Sequence, residues 1–289
     1  MNEATAPPES PRLLDAADHS RASAGMTYVY PVVSRRAGGV SIGINLNPNN
    51  ACNWRCVYCQ VPSLTRGNAP RIDLALLENE LRTMLRELLH GDFMTKRVPL
   101  EARRIEDVAF SGNGEPTSAR EFPAAIEIVA KCMDEGRLLG RVKLRLITNG
   151  SLVDRPAVRQ GIARLGQANG EVWFKLDAGS RKQIALLNSV DLDPVGIVRR
   201  LRDCGELCPT WVQTCCFAMD GFAPNGEETA AWLDILTQAR DRLDGVHLYG
   251  LARQSMQTEA SRLARLPQEW IEGLAEKARS LGLKVQISP

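Results

Sequence analysis

Short apolar runs alternate with longer amphipathic runs from residue 40 to the end of the chain, and this alternation constrains the fold more than any other feature. The apolar runs predict strands at Val40–Asn47, Glu106–Ser111, Val142–Thr148, Glu171–Asp177, Thr210–Phe217, Val246–Leu251 and Leu283–Ile287. Apolar residues at helical spacing predict helices over Ile72–Leu89, Phe122–Met133, about Arg155–Arg164, Pro194–Asp203, Glu227–Leu243 and Pro267–Leu281. Strands separated by helical crossovers pair in parallel, with helices outside and sites at the C-terminal strand ends. Six strand–helix units fall short of the eight in a closed barrel. The expected fold is therefore α/β, a partial (β/α)6 barrel with parallel strands and helices outside. A doubly wound sheet is the alternative.

Residues 27–289 read as a single domain. The first 26 residues mix Pro, Ala, Ser and charge without an apolar run and read as a disordered extension. They lack the apolar core of a signal peptide. No later stretch reaches the roughly 18 apolar residues of a membrane span. The net charge of +2, from 36 basic and 34 acidic residues, gives no overall field toward nucleic acid or a membrane. A local basic patch stays open, and Arg35, Arg36, Arg66, Arg71, Arg103 and Arg104 are set against a plain solvated surface as a phosphate-binding rim.

The chain has eight cysteines, three of them within eight residues. In a reducing cytoplasm, clustered cysteines hold metal more often than they form disulfides, so a cytoplasmic metalloprotein is expected. The loop after the first predicted strand reads Cys52-Asn53-Trp54-Arg55-Cys56-Val57-Tyr58-Cys59-Gln60. Three thiolates spaced C-x3-C-x2-C can ligate three irons of a cubane. With no fourth cysteine nearby, one iron is left for a small-molecule ligand. Zinc on three cysteines and a histidine is the rival, but the nearest histidine is His90.

The second predicted strand ends in Ser111-Gly112-Asn113-Gly114-Glu115-Pro116, where bare glycines let a ligand approach backbone carbonyls. In Glu171–Asp177, alternation puts Trp173, Lys175 and Asp177 on one face and Val172, Phe174 and Leu176 on the other. The apolar face suits the outer helices, which sends Lys175 and Asp177 inward. They either pair with each other or bind a ligand. The same phase sends Trp211, Gln213 and Cys215 inward from the next strand. The strand after that offers either His247 and Tyr249 or Val246, Leu248 and Gly250.

Cys52, Cys56 and Cys59, with aromatic Tyr58 before the last, resemble the cluster motif of the radical S-adenosylmethionine (SAM) superfamily, and Gly112–Pro116 resembles its Gly-Gly-Glu-Pro segment. The resemblance implies a 4Fe–4S cluster on those three cysteines, with the open iron chelating the amino and carboxylate groups of SAM. It implies reductive cleavage of SAM to methionine and a 5′-deoxyadenosyl radical, which abstracts hydrogen from a tRNA base, a peptide or a small metabolite. Tyr58 would contact adenine, Tyr249 and Leu251 would pack against it, and Gly112, Asn113, Gly114, Glu115, Asn149, Lys175, Asp177 and Gln213 would complete the SAM site. Cys215 is a candidate catalytic hydrogen donor. The implied partner is a reductant such as flavodoxin or ferredoxin, with RNA or peptide as substrate and no membrane.

Pro31–Asn45, Cys59-Gln60-Val61 and Leu248–Arg253 look like the wyosine-synthase-like group of that superfamily. The chain has no cysteine before Cys52, and so lacks that group's second-cluster cysteines. Cys204, Cys208, Cys215 and Cys216 form either an auxiliary cluster or part of the core. An electron-transfer iron–sulfur protein without SAM cleavage, a zinc-stabilised binding module and an activase that makes a glycyl radical on a partner enzyme remain the alternatives.

Overall fold

The structure is a computed structural model that describes residues 13–14, 25–34 and 38–288. Most of the expected N-terminal extension, and Arg35 and Arg36 of the proposed rim, lie outside the described residues. Leu14 is buried against the core, and its N–H donates to the carbonyl of Arg97.

The strands in chain order are β1 (Val29–Ser34), β2 (Gly39–Ile44), β3 (Ala51–Cys52), β4 (Thr65–Arg66), β5 (Ile105–Phe110), β6 (Lys143–Thr148), β7 (Gly170–Lys175), β8 (Thr210–Met219), β9 (Gly245–Gly250), β10 (Leu263–Arg265) and β11 (Lys284–Ser288). The helices are α1 (Leu74–Leu89), α2 (Phe93–Arg97), α3 (Phe122–Glu135), α4 (Pro156–Gln167), α5 (Arg181–Asn188), α6 (Pro194–Leu207), α7 (Gly226–Ala239) and α8 (Gln268–Arg279). The main sheet runs β1-β2-β5-β6-β7-β8-β9-β11. Every pairing from β2 to β11 is parallel, while β1 joins β2 antiparallel and β10 joins β8 antiparallel. This curled, mostly parallel sheet is the expected partial barrel rather than a doubly wound sheet. Sequence pattern does not reveal β1, the short β3, β4 and β10, or the helices α2 and α5.

The helix-facing sides of the strands are mostly apolar, with Thr148, Thr210 and Thr214 as buried polar exceptions. Ile42, Phe110, Leu144, Leu146, Val172, Val212, Val246 and Leu248 are fully buried there. Burying each such side chain contributes about 1.5–3 kcal/mol. The outer helices meet them with apolar stripes, such as Leu77, Leu81, Met84, Leu85 and Leu88 of α1. Helix α1 starts where Asp73 accepts from the N–H groups of Ala75 and Leu76, so that orphan donors are satisfied. Its buried Glu80 accepts from the N–H groups of Thr27, Tyr28 and Val29, fixing the start of β1.

The inner side is polar at its lower end. Arg145 of β6 donates to Asp107 of β5 and, at 2.6 Å, to Glu171 of β7, and its guanidinium lies 4.6 Å over the Trp173 ring. His247 stacks on Trp211, with ring centroids 4.7 Å apart. The strand-six alternative therefore resolves to His247 and Tyr249 inside, with Val246 and Leu248 in the core.

Candidate functional site

A cavity of about 990 Å3 opens at the C-terminal strand ends. Its walls include Cys52, Cys56, Cys59, Tyr58, Gly112, Asn113, Gly114, Glu115, Asn149, Lys175, Gln213, Cys215, Tyr249 and Leu251. Every residue expected at the site lines this cavity except Asp177. Strand β7 ends at Lys175, and the backbone leaves the strand path before Asp177. The Asp177 carboxylate instead accepts from the Tyr58 hydroxyl, from Asn188 Nδ2 at 3.0 Å and from the Cys215 N–H at 3.2 Å. It holds Tyr58 from behind, outside the lining of this cavity.

Lys175 donates to the Tyr249 hydroxyl at 3.2 Å and sits 4.8 Å over the Tyr58 ring. Burial disfavours its charge, but the surrounding acidic groups, Tyr249 and Asp177 foremost, outweigh this and hold the ammonium above its ordinary pKa. These groups thus favour the charged form of Lys175 in the cavity wall, beside two aromatic rings.

The Gly-rich loop has a structural use that sequence reasoning did not find. Gly112 has φ +144°, and a Cβ there would lie 2.3 Å from Asn45 Oδ1. A Cβ on Gly114 would lie 2.1 Å from the Ala51 carbonyl, beside the cysteine loop. The glycines therefore let this loop pack against residues 45–51. Glu115 is buried, with Oε1 accepting from the Thr117 N–H and from the Thr117 and Thr148 hydroxyls. Its Oε2 accepts from the Asn149 N–H at 2.7 Å. Burial pushes its pKa up, while these donors favour the carboxylate. Glu115 pins the loop to the end of β6, and Asn149 passes the connection on by donating to Asn53 at 2.8 Å.

Two flanking segments hold the cysteine loop. On one side, the N–H groups of Arg55 and Val57 donate to the carbonyls of Asn188 and Leu187 at the end of α5. On the other, the segment after β9 crosses the loop. Ser255 Oγ donates to the Val57 carbonyl at 2.7 Å, and the Met256 N–H donates to the Cys59 carbonyl at 2.9 Å. Arg55 pairs with Glu259 at 2.9 Å and bonds Thr258. None of Asn188, Ser255 and Glu259 was singled out from sequence. They sit far from the cysteines in the chain, so no local spacing could reveal them.

All eight cysteines are free thiols. Burial pushes Cys52 up to about 11 and Cys56 up to about 12. Ligation by either must therefore displace a proton. Among the described residues no three metal-ligating side chains converge on a single ion. A cubane requires no such convergence, because each thiolate takes a different iron. Two buried polar atoms in the cavity wall, Asn113 Oδ1 and Gln213 Nε2, have no hydrogen-bond partner among the described residues, which suits a wall that takes a polar ligand. Three thiols, a cation and these two atoms fit a cluster and a zwitterionic ligand.

Cys204, Cys208 and Cys216 lie in the main apolar core, apart from Cys215 at the cavity, which favours the core reading for them. Arg103 donates to the carbonyls of Val98 and Thr95, and Arg104 pairs with Glu106, so both make contacts within the fold. No helix among the described residues is long and apolar enough to cross a membrane.

A family model described as the Radical SAM superfamily matches residues 46–233. Among curated proteins, "GTPase Obg" of Brachyspira hyodysenteriae is 29% identical over 163 residues, which is 55% of this chain and 20% of that protein. "UPF0026 protein MJ1312" of Methanocaldococcus jannaschii is 29% identical over 153 residues, 53% of this chain and 40% of that one. The matched segment thus spans well under two thirds of either relative. Among solved structures, a radical SAM methyltransferase from Sphaerobacter thermophilus superposes with a TM-score of 0.57 and 16% identity, over 86% of this chain and 66% of that chain. SuiB from Streptococcus suis, bound to S-adenosylmethionine, gives 0.53 and 10%, over 87% and 47%. At these identities the structural likeness concerns the fold alone.

Proposed function

We propose a function that proceeds from one fact: this chain belongs to the radical SAM superfamily, and it is an enzyme of that kind. The family implies a 4Fe–4S cluster and SAM. In our reading Cys52, Cys56 and Cys59 hold the cluster, and the cavity wall from Tyr58 to Leu251 holds SAM. When bound, the two supply one-electron cleavage of SAM to methionine and hydrogen abstraction by the 5′-deoxyadenosyl fragment. The observation that carries this reading is the convergence on one cavity of the three cysteines, the Gly112–Glu115 loop and Lys175.

The chain's own residues would bind and orient. Lys175 offers a fixed positive charge to a carboxylate, and Asn113 Oδ1 offers an unused acceptor to an ammonium. Gln213 Nε2 offers an unused donor. Tyr58, Tyr249 and Leu251 give a flat, mostly apolar wall for an adenine, and Asp177 fixes the Tyr58 ring. Cys215 faces the same space with a thiol that burial keeps protonated, the form a hydrogen donor needs. The cavity stands at the upper end of the usual ligand-pocket range of about 300–1,000 Å3, which leaves room for part of a substrate beside SAM.

We take residues 27–289 as one domain and the cytoplasm as its compartment, since eight free thiols suit reducing surroundings. The likeness to the wyosine-synthase-like group makes an RNA base the first substrate class to test, ahead of peptides and small metabolites. A flavodoxin or ferredoxin would supply the electron.

The test is anaerobic. The chain is reconstituted with iron and sulfide, reduced and given SAM, and 5′-deoxyadenosine is followed by chromatography. It should form with the native chain and not with Cys56→Ala. A cluster whose spectrum SAM leaves unchanged, with no SAM cleaved, would instead make this an electron carrier.

A further inference from the structure

Asn188, the last residue of α5, is 1% exposed and lies against the middle cysteine of the motif. Its Nδ2 is 3.3 Å from Cys56 Sγ and 3.0 Å from Asp177 Oδ2. A carboxylate oxygen only accepts, so the amide must turn its NH2 toward Asp177, and the same NH2 then faces the sulfur. Both amide protons are committed, one to each acceptor.

The backbone holds this amide in place. Ser189 follows with φ +56°, a left-handed cap that ends the helix and turns the chain toward the cysteine loop. The Asn188 carbonyl accepts from the Arg55 N–H at 3.1 Å, the Leu187 carbonyl from the Val57 N–H at 2.8 Å, and Ser189 Oγ donates to the Arg55 carbonyl at 2.9 Å. Three hydrogen bonds thus lock the end of α5 to the residues on either side of Cys56.

We propose that Asn188 is a positioning residue for the iron–sulfur cluster: its N–H···S bond to Cys56 fixes that ligand and raises the cluster's reduction potential. The inference rests on the cluster reading given above. A hydrogen bond to a ligand sulfur stabilises the extra negative charge that the sulfur takes on when the cluster is reduced. Through Asp177 the same amide is joined to the Tyr58 hydroxyl, so one side chain couples the cluster ligand to the aromatic wall of the cavity.

The experiment compares the reconstituted full chain with Asn188→Leu, which is of similar size without donors, and Asn188→Ser, which keeps one shorter donor. Midpoint potentials come from redox titration followed by electron paramagnetic resonance, with iron content measured alongside. Asn188→Leu should load iron fully and have its reduction equilibrium constant lowered about tenfold, a shift of ~59 mV for one electron. Asn188→Ser should fall between the two. In native chain labelled with 15N-asparagine, the reduced cluster should show a nitrogen coupling that is lost in Asn188→Ser, a measurement that decides the matter even if the leucine variant does not fold. Unchanged potentials in loaded variants, or no such coupling, would overturn this inference alone. A native chain that takes up no cluster would overturn the reading beneath it as well.

Discussion

At the residue scale, the site depends on atoms that are absent as much as on those present. Gly114 has no Cβ because one would meet the Ala51 carbonyl at 2.1 Å, and a backbone atom cannot move aside cheaply. Gly114→Ala should therefore displace the cysteine loop. We expect normal far-ultraviolet circular dichroism, because the strands are untouched, but sharply reduced iron uptake on reconstitution. Full iron uptake in that variant would show that the loop tolerates the shift. The roles of Asp177 and Glu115 also belong to this scale. Both are acids that the sequence places among ligand-binding groups, and in the structure both spend their oxygens on the chain's own donors. Alternation along a strand predicts which face a side chain takes, but it stops where the strand stops, and β7 stops at Lys175.

At the element scale, the parallel strands were legible because helices cover one face and the barrel lining the other, leaving long apolar runs. Strand β1 escaped because Tyr30-Pro31 interrupts its run, and because an antiparallel edge strand breaks the strand–helix rhythm. Helix α5 escaped because it has only eight residues with two of them buried, too few for a periodic signal. The same limit hid the Ser255–Glu259 segment, which has meaning only through its contacts with the cysteine loop. Ser255→Ala removes the bond to the Val57 carbonyl, leaving a buried acceptor short of a partner, at a cost of about 1–3 kcal/mol. The reconstituted cluster should then bleach several-fold faster in air, as read from its visible absorbance. Arg55→Ala should have a much smaller effect, because the Arg55–Glu259 pair is partly exposed and worth no more than about 1 kcal/mol. Equal bleaching rates for Ser255→Ala and the native chain would remove the segment from any role in holding the loop.

At the scale of the whole molecule, the interior of the barrel is held by charge as well as by apolar packing. Arg145 spans β5, β6 and β7 through Asp107 and Glu171, with its side chain 15% exposed and theirs 4% and 11%. Removing one member of such a set strands the other charges, and costs about 3–5 kcal/mol. Arg145→Met should lower the denaturant midpoint accordingly, while Arg103→Met, at an exposed arginine, should change it little. A small loss for Arg145→Met would mean that water already reaches the set and weakens it.

Among the described residues the sheet does not close: its path begins at β1 and ends at β11, and residues of both edge strands, Tyr30 and Ser288 among them, line the cavity. A barrel left open between its edge strands would work as a window rather than a container. A molecule far larger than the chamber would then stay outside and pass in a single reactive group, so that the chamber's volume would limit the group that reacts and not the size of what carries it.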